Sequence, residues 1–186
     1  ILAILGLKWT KNGIKGVSYD IVNTSYTVGS VVKGASISVG YKYNLININE
    51  KIQDSCIKLS NQTKKCSWRN LGLINDIDAL SFSSNYSPFT IAQRLSNKDF
   101  TSNSNLNSTI NEFNIYRDTF SMYGLGTLTN IDLPFETPGI KGSVISDDLL
   151  LNLSIGQYDT YTILGLFKYI NTLANKGYKT TPHILK

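Results

Sequence analysis

Apolar residues along this chain fall in short runs separated by polar stretches rich in Asn, Ser, Thr and Gly. Ile1 to Leu7 is an apolar run closed by Gly6 and the polar Lys8–Gly13 stretch, and it predicts a buried strand. Thr10 to Thr27 is turn-rich. Val31, Val32, Ala35 and Val39 then recur near i, i+4 and i+8, which fits a short helix opening at Gly29 or Ser30 and ending at Gly40. The β-branched content of that segment fits a strand as well, and local propensity leaves both open. Asn44 to Asn70 is polar, carries both cysteines, and reads as an irregular excursion or a small hairpin.

Further along, Leu73, Ile77 and Leu80 lie on one helical face, and a second helix is predicted at about Pro88–Leu95, with Pro88 suited to its first turn. Ser96 to Asn107 reads as a loop. Ile110, Phe113, Tyr116, Phe120 and Tyr123 form a helix stripe that Gly124 and Gly126 end. Thr127 to Ser146, with Pro134 and Pro138, is a long connection. Leu164, Leu166, Phe167, Ile170 and Ala174 mark the last helix, stopped by Gly177, and Thr181–Leu185 begins an extended segment. Helix dominates, little sheet is visible, and no repeat is present.

Composition narrows the classes. With 186 residues, 41% of them hydrophobic and 17% charged, the chain suits one domain or part of a larger one and is too apolar for general disorder. No run approaches the roughly 20 apolar residues of a membrane span. The net charge of +5 comes from scattered lysines, with only Lys64 and Lys65 adjacent, so a nucleic-acid footprint is not expected. The first residue is Ile1, with no charged leader, and the sequence reads as a piece of a longer protein.

Two clusters could carry chemistry. Ser30-Val31-Val32-Lys33 places a hydroxyl and an amine at i and i+3, on one face if the segment is helical. A serine needs an adjacent base, and a lysine can serve only if burial or a like charge destabilises its ammonium. By itself the pattern is common; Ser55-Cys56-Ile57-Lys58 repeats it, and a solvated helix start explains either match. Ser83-Ser84-Asn85 follows an apolar stretch and could turn a hydroxyl and a carboxamide toward a neighbouring element. Ordinary helix-end capping explains that triplet equally well.

The order of these clusters, together with longer tracts, changes the picture. S-x-x-K followed by S-x-N is part of the signature of penicillin-interacting serine enzymes. Tyr26-Thr27-Val28-Gly29-Ser30-Val31-Val32-Lys33 resembles the Y-x-P-G-S-x-x-K of penicillin-binding proteins, with Val28 in place of proline. Ala79-Leu80-Ser81-Phe82-Ser83-Ser84-Asn85 resembles their A-L-x-x-S-S-N. Tyr123-Gly124-Leu125-Gly126, Thr129-Asn130-Ile131-Asp132-Leu133-Pro134 and Glu136 resemble Y-G-x-G…T-G-I-D-L-P-x-E. Leu153-Ser154-Ile155-Gly156-Gln157, Leu173-Ala174-Asn175-Lys176-Gly177 and Pro182-His183 resemble S-I-G-Q…L-A-N-x-G…P-H. Five tracts in one order resemble the transpeptidase domain of class B penicillin-binding proteins.

The resemblance implies an α+β fold of the penicillin-binding and serine β-lactamase type, present here as a mainly helical part lacking much of the central antiparallel sheet. Residues 1–186 would be the N-terminal part of the transpeptidase domain. Ser30 would be the acyl-accepting nucleophile, Lys33 its base, Ser83 a proton relay and Asn85 a contact to the substrate or β-lactam amide. The backbone N–H of Ser30 would supply half of the oxyanion hole. The reaction would be cross-linking of peptidoglycan stem peptides through a serine acyl-enzyme, with β-lactams trapping Ser30 and no cofactor needed. A β-lactam-hydrolysing enzyme and a non-catalytic β-lactam sensor are the alternatives on this fold. The family further implies roles in cell-wall synthesis, cell shape and antibiotic resistance. It implies a place on the outer face of the bacterial cell membrane, an anchoring helix outside these residues, and partnership with a polytopic membrane glycosyltransferase. K-T-G is absent: Lys179-Thr180-Thr181 is a near miss before Pro182-His183 rather than well after it. Residues 1–186 alone are therefore expected neither to fold stably nor to react with penicillin.

Cys56 and Cys66 stand ten positions apart in the excursion between the two motifs, preceded by Asp54. Relatives often carry a structural zinc set in this excursion, and Asp54, Cys56 and Cys66 match three such ligands in kind, with Asn70 where a histidine would complete them. Three ligands are fewer than a closed structural zinc site usually has. Zinc, a disulfide and two free thiols remain open at this point.

Overall fold

The computed structural model describes residues 1, 4–96 and 106–185. In chain order the first elements are β1 (Leu7–Thr10), β2 (Gly13–Gly16), α1 (Asp20–Asn23), β3 (Ser25–Tyr26), a 3₁₀ turn (Gly29–Val32) and α2 (Lys33–Lys42). The excursion supplies β4 (Ile52–Gln53), β5 (Cys56–Lys58), β6 (Lys64–Cys66) and β7 (Leu73–Ile74). Helices α3 (Asp76–Ser81), α4 (Tyr86–Ser96), α5 (Ile110–Met122) and α6 (Asp147–Ser154) follow, then β8 (Tyr161–Thr162) and α7 (Ile163–Ala174). All four ladders among the described residues are antiparallel pairs: β1–β2, β3–β8, β4–β7 and β5–β6. The chain divides into two compact units.

One unit comprises Ile1–Thr27, Phe120–Gly142 and Asp159–Lys186. Its small core is Val22, Ile131 and Leu164, with Ile1, Ile4, Ile21 and Leu133 packed around it. The strand expected over Ile1–Leu7 instead begins at Leu7, and all four of its residues are exposed. Its register is set by the polar turn, where Thr10 Oγ1 donates to the Gly13 carbonyl and accepts from the Asn12 N–H. In α7 the buried face is Leu164, Gly165, Tyr169 and Thr172, so the Phe167–Ile170 stripe is half exposed. Glu136 clamps the loop before it by accepting from the N–H groups of Thr129 and Asn130 at 2.6 and 3.0 Å. Asn130 is left-handed there (φ 61°), a conformation asparagine tolerates better than most residues.

The other unit comprises Val28–Thr119 and Ser143–Tyr158. Helix α4 is buried from Ser87 to Ala92 and packs against α2 and α6. Packing decides the ambiguous 28–40 segment for helix: Val32, Ala35, Ile37 and Val39 are all buried. Gly40 does not end α2, which continues to Lys42. A Cβ on Gly40 would lie 2.7 Å from Ile46 Cγ1 and 3.0 Å from Ile91 Cδ1, so glycine there admits the close approach of these side chains. The stripe Leu73, Ile77 and Leu80 is a second correction: Leu73 belongs to β7, all three are exposed, and Ala79 is the buried residue of α3. Helix α6 was not anticipated, because its continuous Leu149–Leu151 run shows no clear period. Ser146 caps it by accepting from the Leu149 N–H, and Asp147 and Asp148 suit its positive end. The loop read at Ser96–Asn107 lies largely outside the described residues.

Candidate active site

The S-x-x-K segment is bent at the residue before it. Gly29 is left-handed (φ 60°) and donates its N–H to the Gly156 carbonyl at 2.9 Å. Gly156 (φ 75°) has to lack a side chain, since a Cβ there would sit 2.3 Å from the Gly29 oxygen. The S-I-G-Q tract thus buttresses the turn that presents Ser30. Ser30 is exposed on the 3₁₀ turn, and its carbonyl accepts from the Lys33 N–H. Residues i and i+3 eclipse in 3₁₀ geometry, which places Lys33 one turn beyond Ser30 on the same side.

Lys33 is 2% exposed, and its three ammonium protons meet three acceptors on one corner. Nζ donates to the Ser83 carbonyl at 2.7 Å, to Ser83 Oγ at 3.1 Å and to Asn85 Oδ1 at 2.7 Å. None of these acceptors is a carboxylate, so burial is uncompensated by an opposite charge. Burial accordingly pushes the Lys33 amine down from 10.5 to about 8. Among the described residues no hydrogen bond joins Ser30 Oγ to Lys33 Nζ; Lys33, Ser83 and Asn85 meet directly, and Ser30 stands one turn away.

The corner itself is held from outside. Ser83 is left-handed (φ 54°), an uncommon conformation for a serine, which lets its carbonyl and its hydroxyl both reach Lys33. Asn85 Nδ2 donates to the Cys66 carbonyl at 3.3 Å, so the carboxamide is oriented at both ends. Ser84 is fully buried, donating to Asp54 Oδ2 at 3.1 Å and accepting from the Ser87 N–H. Ser67 Oγ accepts from the N–H groups of Asn85 and Tyr86 and donates to Asp54 Oδ2 at 2.8 Å. Trp68 Nε1 donates to the Phe82 carbonyl at 3.0 Å. Ser67 carries no signal in the sequence: a lone serine beside Cys66 belongs to no motif, and only the hairpin fold brings it to the corner.

Cys56 and Cys66 face each other across the β5–β6 hairpin and form a disulfide. The zinc set Asp54, Cys56 and Cys66 is therefore not assembled. Both sulfurs are bonded to each other, and Asp54 Oδ2 accepts from Ser67 and Ser84 instead. Asn70, in the place of the missing histidine, accepts from the Gly72 N–H. Among the described residues no group of three or more His, Cys, Asp or Glu side chains is placed to hold a metal ion. Ser55 and Lys58 are exposed and flank or lie on strand β5, so their spacing does not put them on a helical face.

Comparison with known proteins shows the family and the fold. The family model of the penicillin binding protein transpeptidase domain matches residues 7–186. Penicillin-binding protein 2A of Bacillus subtilis strain 168 is 38% identical over 166 residues, 89% of this chain and 23% of that protein. Penicillin-binding protein H of the same organism is 35% identical over the whole chain, which corresponds to 27% of that protein. The structure of penicillin-binding protein 2B from Streptococcus pneumoniae strain 5204 superimposes with a TM-score of 0.91 at 31% identity, over 98% of this chain and 32% of that one. The chain thus spans about a quarter of the length of these Bacillus relatives.

Proposed function

The chain belongs to the transpeptidase family of class B penicillin-binding proteins, and on that premise we propose that the whole protein cross-links peptidoglycan stem peptides through an acyl-enzyme on Ser30. Neutral Lys33 takes the Ser30 proton as Oγ attacks the carbonyl of the terminal D-Ala–D-Ala amide. The C–N bond breaks, the D-Ala amine leaves with a proton, and an ester remains on Ser30. The amine of a neighbouring stem then attacks that ester, forms the cross-link and returns a proton to Ser30. β-Lactams take the first step and stall as a slowly hydrolysed ester. No metal or organic cofactor enters this scheme. The reading carries with it a location on the outer face of the cell membrane and work beside a polytopic glycosyltransferase.

The observation that carries the reading is Lys33: buried, without a carboxylate partner, and one 3₁₀ turn from an exposed serine. As an ammonium it spends all three protons on the corner and has no lone pair for Ser30. Once neutral it keeps two donors and gains an acceptor site. Ser83 Oγ, at 3.1 Å, is the one acceptor of the three that can reverse and donate, which suits it to relay the proton. Asn85 Nδ2, turned from Lys33 by the orientation of its amide, is the group to meet a substrate carbonyl.

The test is intact-mass analysis of the whole protein after incubation with benzylpenicillin. One adduct per molecule is expected, located on the peptide containing Ser30 and absent from Ser30→Ala. An adduct on another residue, or none, overturns the proposal.

A further inference from the structure

We infer that Ser67, aimed by Asp54, is a positioning residue for acylation, setting the Ser83–Asn85 corner through the Asn85 backbone; this rests on the transpeptidase reading above. The hydroxyl is used to capacity. A serine offers one proton and two lone pairs; here the proton goes to Asp54 Oδ2 at 2.8 Å. The lone pairs take the N–H groups of Asn85 and Tyr86, each at 3.1 Å; Ser84 Oγ also lies 3.2 Å away, with its own proton directed to Asp54. Those are amides at the opening of α4, where a helix has no internal acceptors. Ser84 covers the Ser87 N–H in the same way and shares Asp54 Oδ2. One buried carboxylate thus orients two hydroxyls, and the two hydroxyls bind three consecutive N–H groups, 85 to 87.

The consequence reaches the reacting groups. Ser83 is held left-handed, a state that persists only where its surroundings over-determine it. Fixing the amide of residue 85 two positions on, with Lys33 and Cys66 on its side chain, leaves the corner one arrangement. Among the described residues no hydrogen bond joins Ser67 to Ser30 or Lys33, so it acts through Asn85.

The test uses the whole protein, comparing the parent with Ser67→Ala and with Ser67→Thr, which keeps the hydroxyl. Benzylpenicillin acylation is resolved into initial binding and the acylation rate constant, alongside the thermal midpoint. Displacement of catalytic groups by about 1 Å costs on the order of 100-fold. Ser67→Ala is therefore expected to slow acylation about 10- to 100-fold with initial binding nearly unchanged, and Ser67→Thr to restore most of the rate. A parental acylation rate in Ser67→Ala overturns the inference, as does a Thr variant as slow as the Ala variant. If the parent forms no adduct, the transpeptidase reading fails by itself, and competitive acetic anhydride labelling of the Lys33 amine decides the positioning role. Its titration midpoint is expected to rise in Ser67→Ala as water enters the corner; an unmoved midpoint overturns the inference.

Discussion

Lys33 Nζ lies 2.7 Å from Asn85 Oδ1, and both partners of that bond are neutral once the amine gives up its proton. A carboxylate at the same place would hold the proton on. Asn85→Asp is therefore expected to raise the Lys33 amine by about one unit or more. At pH 7 the neutral fraction, and with it the rate of penicillin acylation, should fall about tenfold or more, and the rate profile should move to higher pH. An unchanged profile in stopped-flow measurements would remove Lys33 as the base.

In the parent protein the same residue sets a pH dependence. With Lys33 at about 8, acylation should rise about tenfold per unit below that pH and level off above it. Stability follows the opposite proton ledger to that of a salt-bridged lysine. Below about 8 both folded and unfolded chains hold the proton, and the fold bears the full cost of the buried charge. Between about 8 and 10.5 the unfolded chain holds it and the folded one does not, so the contribution of Lys33 to stability grows as pH rises through that window. Denaturant titrations of the parent and Lys33→Met at pH 7 and 9.5 check this: the stability advantage of the methionine variant should shrink at the higher pH.

Gly156→Ala tests the buttress beneath Ser30. The added Cβ would sit 2.3 Å from the Gly29 oxygen, and the left-handed backbone alone costs about 1–2 kcal/mol. Loss of at least that much stability is expected, with penicillin acylation at Ser30 reduced beyond what the unfolded fraction explains.

The disulfide should contribute through the unfolded chain. Closing a loop of sequence separation ten corresponds to about 2–3 kcal/mol in the chain-entropy treatment. Replacing both cysteines by serine is expected to lower stability by about that amount in denaturant titrations. Because the Cys66 carbonyl also orients Asn85, acylation should slow as well.

What could be read from the sequence follows from how local each signal is. The Ile110–Tyr123 stripe was legible as helix because Phe113, Tyr116 and Phe120 are buried at helical spacing. Ser30, Lys33, Ser83 and Asn85 were legible as candidates because two short motifs stand in order among longer tracts; the fold brings Lys33, Ser83 and Asn85 into contact. The 28–40 segment was ambiguous because Val and Ile favour strands, and burial of four side chains against α4 and its surroundings outweighs that preference. The stripe through Leu73, Ile77 and Leu80 misled because apolar spacing says nothing about which face is covered, and here Ala79 is the covered one. The state of the cysteines and the role of Ser67 depend on cross-strand register at β5–β6, which no periodicity in a polar excursion encodes.

The left-handed serine at position 83 sets stability against activity within one residue. Glycine there would adopt φ 54° freely, relieving about 1 kcal/mol of backbone cost, yet it would remove the hydroxyl that meets Lys33. Ser83→Gly should then acylate far more slowly, while the backbone relief offsets part of the stability lost with the Lys33 hydrogen bond. On the proposed mechanism, a relaxed backbone and a proton relay make opposite demands on this one position.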